Sequence, residues 1–109
     1  MQLPNATEVV IPEAKIREYL LSPSHHRGQH KAEYFAALGF GLAAADDFTS
    51  ELRRIAAEGH VQSARETVFG RKYTLPGILH GRLGSAAVVT VWIRRHGENG
   101  VRLVTVRPR

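Results

Sequence analysis

Two runs rich in β-branched residues, 86–95 (AAVVTVWIRR) and 101–107 (VRLVTVR), are separated only by His96-Gly97-Glu98-Asn99-Gly100. A parallel crossover takes about a dozen residues or more, so these two runs pair antiparallel. Asn99-Gly100 is a strong hairpin signal. The same reasoning extends upstream. Arg71–Leu79 reads as a strand joined to Ala86 by the loop His80-Gly81-Arg82-Leu83-Gly84-Ser85. Val61–Val68 alternates more weakly and ends in the turn Phe69-Gly70-Arg71-Lys72. Pro76-Gly77 inside the second run points to a bulge or a sheet edge. The expected unit is a four-stranded antiparallel meander.

The first sixty residues follow a helical period instead. In Ile11–Leu21, Pro12 suits a first helical position and Ser22-Pro23 stops the run. Ile16, Tyr19 and Leu20 form one stripe. A second helix, His30–Leu38, closes at Gly39. A third spans Leu42–Glu58, with Phe48, Leu52 and Ile55 on one side and Asp46 and Asp47 in the first turn, where the helix dipole favours acids. The expected fold class is α+β: three N-terminal helices packed on one face of a four-stranded antiparallel sheet. At 109 residues this is one domain, 1–109, mainly helical over 1–60 and mainly strands over 61–109.

Several function classes are excluded by composition. There is no cysteine, which removes disulfide scaffolds, thiol catalysis, Cys-based zinc sites and iron–sulfur clusters. No apolar run reaches the length of a membrane span and no signal peptide is visible, so a cytoplasmic location away from membranes is expected. No Walker loop, dinucleotide fingerprint, nucleophile elbow or HExxH stretch occurs, and no cofactor is expected. Charge is distributed unevenly. Residues 1–69 carry seven Lys/Arg and nine Asp/Glu, a net of −2, whereas residues 70–109 carry eight Lys/Arg and only Glu98, a net of +7. Twelve of the fifteen cations are arginine, whose planar fork suits phosphate. RNA or another polyanion is the expected partner.

The sheet would leave one face open. Alternation along the third strand puts Val89, Val91 and Ile93 on one side and Val88, Thr90, Trp92 and Arg94 on the other. The first set reads as core. The second is the mix a nucleic-acid cleft uses, with Trp92 stacking a base and Arg94 meeting phosphate. The alternative is that Trp92 fills a second small core.

The densest polar cluster is His25, His26, Arg27, His30 and Lys31. A metal site would use His25, His26 and His30, but neighbouring histidines converge poorly and Arg27 and Lys31 would repel a cation. A solvated loop is the bland reading. An anion site is the third: Arg27, Lys31 and the N–H groups of a helix start favour phosphate, and a histidine among them exchanges protons near neutral pH. Metal-free RNA cleavage needs those parts: a base for the 2′-hydroxyl, an acid for the leaving oxygen and cations for the phosphorane. His60, His80 and His96 sit at element ends and read as surface residues.

Taken along the chain, Leu3-Pro4-Asn5-Ala6, Val10-Ile11-Pro12, Lys15, Tyr19-Leu20-Leu21, Pro23, Arg27-Gly28, His30-Lys31-Ala32, Phe35 and Leu38-Gly39-Phe40 resemble an uncharacterised bacterial domain family. Its members occur as small free-standing proteins and as C-terminal tips of polymorphic toxins. The second half is similar too, at Phe69-Gly70, Arg71, Tyr73, Thr90-Val91-Trp92-Ile93 and Arg102-Leu103-Val104-Thr105. The layout resembles the barnase–EndoU–colicin–RelE class of small metal-independent RNases, an analogy at the level of fold. The resemblance implies a toxin-type endoribonuclease with Arg27, His30 and Lys31, and with Thr90, Trp92 and Thr105 on the sheet. It also implies a small acidic antitoxin or immunity protein as a partner. The chain departs from the family in its short loop after the second strand, which ends at Ser85-Ala86.

The expected function is therefore metal-independent RNA cleavage. His30, Lys31, Arg27 and Thr90 are the expected catalytic residues, and Trp92, Arg94, Thr105, Tyr73 and Arg102 the expected substrate contacts. The alternative is a non-catalytic basic module that binds nucleic acid or a protein partner.

Overall fold

The computed structural model describes residues 1–109 apart from His26 and Gly28, and apart from the side chain of Gln29. It has an α+β architecture with three helices and a four-stranded antiparallel sheet in the order β1-β2-β3-β4. The strands are β1 (Ser63–Thr67), β2 (Gly70–His80), β3 (Ser85–Arg95) and β4 (Arg102–Pro108). Each pairs with the next, as the short connections require.

The first helix is not a plain α-helix. One α-turn, α1 (Glu13–Lys15), runs into a π-helical segment over Ile16–Leu20, where Leu21 N–H reaches Ile16 C=O at 2.9 Å. The wider turn buries Ile16, Leu20 and Leu21 together, while Tyr19, expected in the apolar stripe, is only half-buried. Helix α2 (Gln29–Ala37) buries Ala32 and Phe35. It ends at Gly39, φ +101°, with Phe40 N–H returning to Phe35 C=O at 2.9 Å, so the expected glycine cap is present. Helix α3 (Ala45–Glu58) follows a 3₁₀ turn at Leu42–Ala44 and lays Phe48, Leu52, Ile55 and Ala56 into the core.

Pro76-Gly77 is neither a bulge nor a break. The β2–β3 ladder runs straight through it, Pro76 opposite Val89 and Gly77 opposite Val88. β1 ends opposite Thr74, so from Leu75 onward β2 has no neighbour on that side and the missing Pro76 N–H removes no ladder bond. Gly77 is there because Ile55 of α3 occupies the space a Cβ would need. The bulge lies instead in β4, where Val91 faces Thr105 and Trp92 faces Leu103. The outer edge of β4 is partly covered: Val10 N–H donates to Val101 C=O at 2.8 Å and Leu103 N–H to Val10 C=O at 3.0 Å. No described helix is long and apolar enough to cross a membrane.

The core lies between the helices and one face of the sheet. That face carries Tyr73, Leu75 and Leu79 of β2, Val88, Thr90 and Trp92 of β3, and Leu103 and Val106 of β4. The expected orientation of β3 is thus reversed. Trp92 and Thr90 are fully buried, and Tyr73 is nearly so. Trp92 brings the largest apolar surface on the strand to the helix side, where Thr90 satisfies its indole N–H. Val89, Val91 and Ile93 face the other way. They are still less than a tenth exposed, with Arg65, Lys72, Arg102 and Arg107 on the other strands of the sheet.

Candidate nucleic-acid interface

The strand register sets the open face row by row. One row runs Arg65, Lys72, Ile93, Arg102 across all four strands. The next runs Ser63, Thr74, Val91, Thr105, and the one beyond it carries Pro76, Val89 and Arg107. Arg95, opposite Gly70, closes the other end. An apolar stripe along β3 is therefore flanked by guanidinium, ammonium and hydroxyl groups. Two adjoining grooves cross this face. One, of about 250 Å³, is lined by Arg65, Lys72, Arg107 and the three hydroxyl residues of the second row. The other, of about 490 Å³, is lined by Lys15, Phe69, Lys72, Arg95 and Arg102 with Ile93 and Val104. Neither lining contains a carboxylate.

Salt bridges among the described residues leave this face mostly uncompensated. Arg17, Arg54 and Arg71 pair with acids elsewhere. On the face, Arg102 meets Glu98 at 3.5 Å, while Arg65, Lys72, Arg95 and Arg107 have no carboxylate in ion-pair range.

The helices add two ammonium groups at the β4 edge. Lys15 Nζ donates to Val104 C=O at 2.9 Å, on the carbonyl next along from the stretch covered by Val10. Burial holds the Lys15 pKa below its ordinary value, and the Arg95 and Lys31 cations lower it further. Lys31, in the first turn of α2, donates to Thr105 Oγ1 at 2.8 Å and stands 5.5 Å over the Tyr19 ring. His25 packs edge-on against the same ring at 5.1 Å, and its Nδ1 accepts Arg27 N–H at 3.1 Å, so in the neutral ring Nε2 carries the proton.

Of the residues singled out from sequence, Lys31 and Thr105 are joined directly across 74 positions. Arg102 lies in the cationic row. His30 and Arg27 are exposed beside Lys31 in the chain. Three expected contacts need correction. Thr90, Trp92 and Tyr73 are inside the core and reach no solvent-side ligand: Thr90 Oγ1 donates to Leu75 C=O at 2.7 Å and accepts Trp92 Nε1–H at 2.8 Å. Arg94 is exposed, but it shares its side of the sheet with Trp92 and lines a recess with Glu66, Arg71, His96 and Glu98, which meets the larger groove at Arg95. His26, the middle member of the metal reading, lies outside the described residues. Among those described, no three His, Asp or Glu gather to hold a metal ion. Lys15, Arg65, Lys72, Arg95, Arg107 and Phe69 were not foreseen. Once Trp92 is placed inside, alternation alone brings Arg95 to the open face, and pairing brings the strand cations with it.

Residues 2–109 match the family model described as "Domain of unknown function (DUF6883)". The chain belongs to the DUF6883 family. Among solved structures, this DUF6883 domain is similar to a chain of a contact-dependent growth inhibition toxin–immunity protein complex from Klebsiella pneumoniae 342. The TM-score is 0.72 at 11% sequence identity, covering 92% of this chain and 99% of that one. At that identity the likeness is one of fold. No curated protein matches the chain.

Proposed function

We propose that this DUF6883 domain is a toxin-type ribonuclease that cleaves RNA without a metal. The observation that carries the reading is the Lys31–Thr105 contact. It ties the start of α2, where Lys31 follows Arg27 and His30 in the chain, to the edge of a cationic sheet face whose two groove linings hold no carboxylate. The fold shared with a chain of a toxin–immunity complex supports a toxin-related role and a protein partner, and the cationic face would suit an acidic one.

The proposed step is transesterification. His30 takes the 2′-hydroxyl proton and the 2′ oxygen attacks the adjacent phosphorus. Lys31, Arg27 and Lys15 stabilise the charge that builds on the phosphoryl oxygens. The Thr105 hydroxyl accepts from Lys31 and so directs its own O–H at a phosphate oxygen. The bond to the 5′ oxygen breaks as that oxygen takes a proton from solvent. The products are a 2′,3′-cyclic phosphate and a 5′-hydroxyl.

Incubating the purified protein with total RNA, with and without EDTA, tests this. Cleavage in chelator, ends bearing cyclic phosphate and growth arrest on expression are expected. Cleavage that depends on an added divalent metal would overturn the mechanism. Tight RNA binding without any cleavage would leave the non-catalytic module as the function.

A further inference from the structure

The turn between β1 and β2 holds two large apolar side chains in water: Val68 is 85% exposed and Phe69 71%. Single exposed apolar residues are ordinary. Phe69 differs because its backbone is pinned. Its N–H donates to Thr67 Oγ1 at 3.2 Å, its C=O accepts His96 N–H at 3.2 Å, and Thr67 Oγ1 donates to Gly70 C=O at 2.7 Å. Gly70 has φ +147°, and a Cβ there would collide with the Arg94 carbonyl. An exposed aromatic ring on a fixed backbone has little freedom to lose on binding.

Phe69 lines the larger groove together with Lys15, Lys72, Arg95 and Arg102. Glu98, which is not part of that lining, ion-pairs with Arg102 alone among the described residues. A flat aromatic face beside unneutralised cations fits a nucleobase next to its phosphates. Stacking of that kind needs an unpaired base, since bases inside a duplex are closed to side chains.

We propose that Phe69 is the stacking platform for one base of single-stranded RNA, with Lys72 and Arg95 holding the flanking phosphates. This rests on the reading of RNA as the ligand, and adds strandedness and the base-binding residue.

The test is fluorescence anisotropy with three probes: an uncleavable 2′-O-methyl single strand, a duplex of the same sequence, and inorganic polyphosphate. The parent should prefer the single strand over both. Phe69→Ala should weaken single-strand binding about 5- to 150-fold, the range for one stacked base, and leave polyphosphate binding within about twofold. Phe69→Trp should restore single-strand binding, and its emission should quench when the strand binds. Unchanged single-strand affinity in Phe69→Ala would overturn the proposal and leave the turn as a protein-docking surface. Equal losses for the single strand and polyphosphate, without rescue by Trp, would also overturn it. Polyphosphate binding with no preference for a single strand removes Phe69 but keeps the charge reading. A parent that binds none of the three probes sinks both.

Discussion

The Trp92 indole N–H donates to the Thr90 hydroxyl at 2.8 Å, two residues back on the same face of β3, and both side chains are shut off from solvent. Thr90 in turn donates its O–H to Leu75 C=O across the ladder at 2.7 Å. A buried indole N–H costs free energy unless it has an acceptor, and here the strand carries that acceptor one pleat away. No buried side-chain N or O among the described residues lacks a partner. The pair therefore fixes which side of β3 faces the helices, and by alternation which cations face out.

Thr90→Val keeps the shape and removes the acceptor. It should destabilise the fold by about 1–3 kcal/mol, the cost of an orphaned buried donor. RNA cleavage per folded molecule should be unchanged, since Thr90 touches no ligand. Thermal melts beside cleavage rates decide it. A catalytic defect at unchanged melting temperature would put Thr90 back in the site.

The strands and helices were legible because their signals are local: short connections, Asn99-Gly100, Gly39 as a cap, and the spacing of Phe48, Leu52 and Ile55. The face of β3 was not. Val89, Val91 and Ile93 outnumber Val88 among the aliphatics, so alternation favoured the wrong side. The deciding signal was present as Thr90-Val91-Trp92, a hydroxyl spaced to serve an indole. Pairing of Val10 with β4 and the π turn at Ile16–Leu20 depend on contacts distant in sequence. The candidate site was half legible for the same reason. Lys31 and His30 stood out by their neighbours, whereas Arg65, Lys72, Arg95 and Arg107 gather only through the register.

Adjacent arginines on β3 should behave differently. By alternation Arg95 lies on the groove face with Ile93, and Arg94 on the opposite side with Trp92. Binding of single-stranded RNA should weaken with salt, and Arg95→Ala should lower the slope of log K against log salt by about 0.7, one lost phosphate contact. Arg107→Ala should do the same. Arg94→Ala should change the slope less. Salt titrations of the three variants would refute the face assignment if Arg94 proved the most sensitive.

Acid should release one tertiary tie. The Glu51 carboxylate accepts two N–H groups from Arg54, at 3.0 and 3.2 Å, and His80 N–H at 2.7 Å. The Arg54 hydrogen bond is the main cause that holds its pKa below the ordinary value, against opposing burial. A depressed folded pKa means this stabilisation is complete above the unfolded carboxyl value, about 4.3. It is lost as pH falls through the folded pKa. Glu51→Gln should cost about 1–2 kcal/mol at pH 7. The gap to the parent should shrink in melts taken down to pH 3. A gap that stays constant over that range would show that the charge of Glu51 is not what matters.

His30 decides the chemistry. Its side chain is exposed at the start of α2, next to the lysine that reaches Thr105. An exposed side chain carries little packing, so His30→Ala should shift stability by no more than about 0.5 kcal/mol. Loss of one acid–base group should slow cleavage about 10²- to 10⁴-fold. His30→Gln should be equally slow, because an amide donates and accepts hydrogen bonds but moves no proton. Lys31→Met differs in kind. It removes the bond to Thr105 and the cation over Tyr19, so it should lower the cleavage rate and the melting temperature together. RNA binding by His30→Ala should stay near the parent's, which separates proton transfer from docking. If both His30 variants cut RNA at the parent's rate, the base lies elsewhere. His25, against the same Tyr19 ring that Lys31 covers, is then the residue to replace.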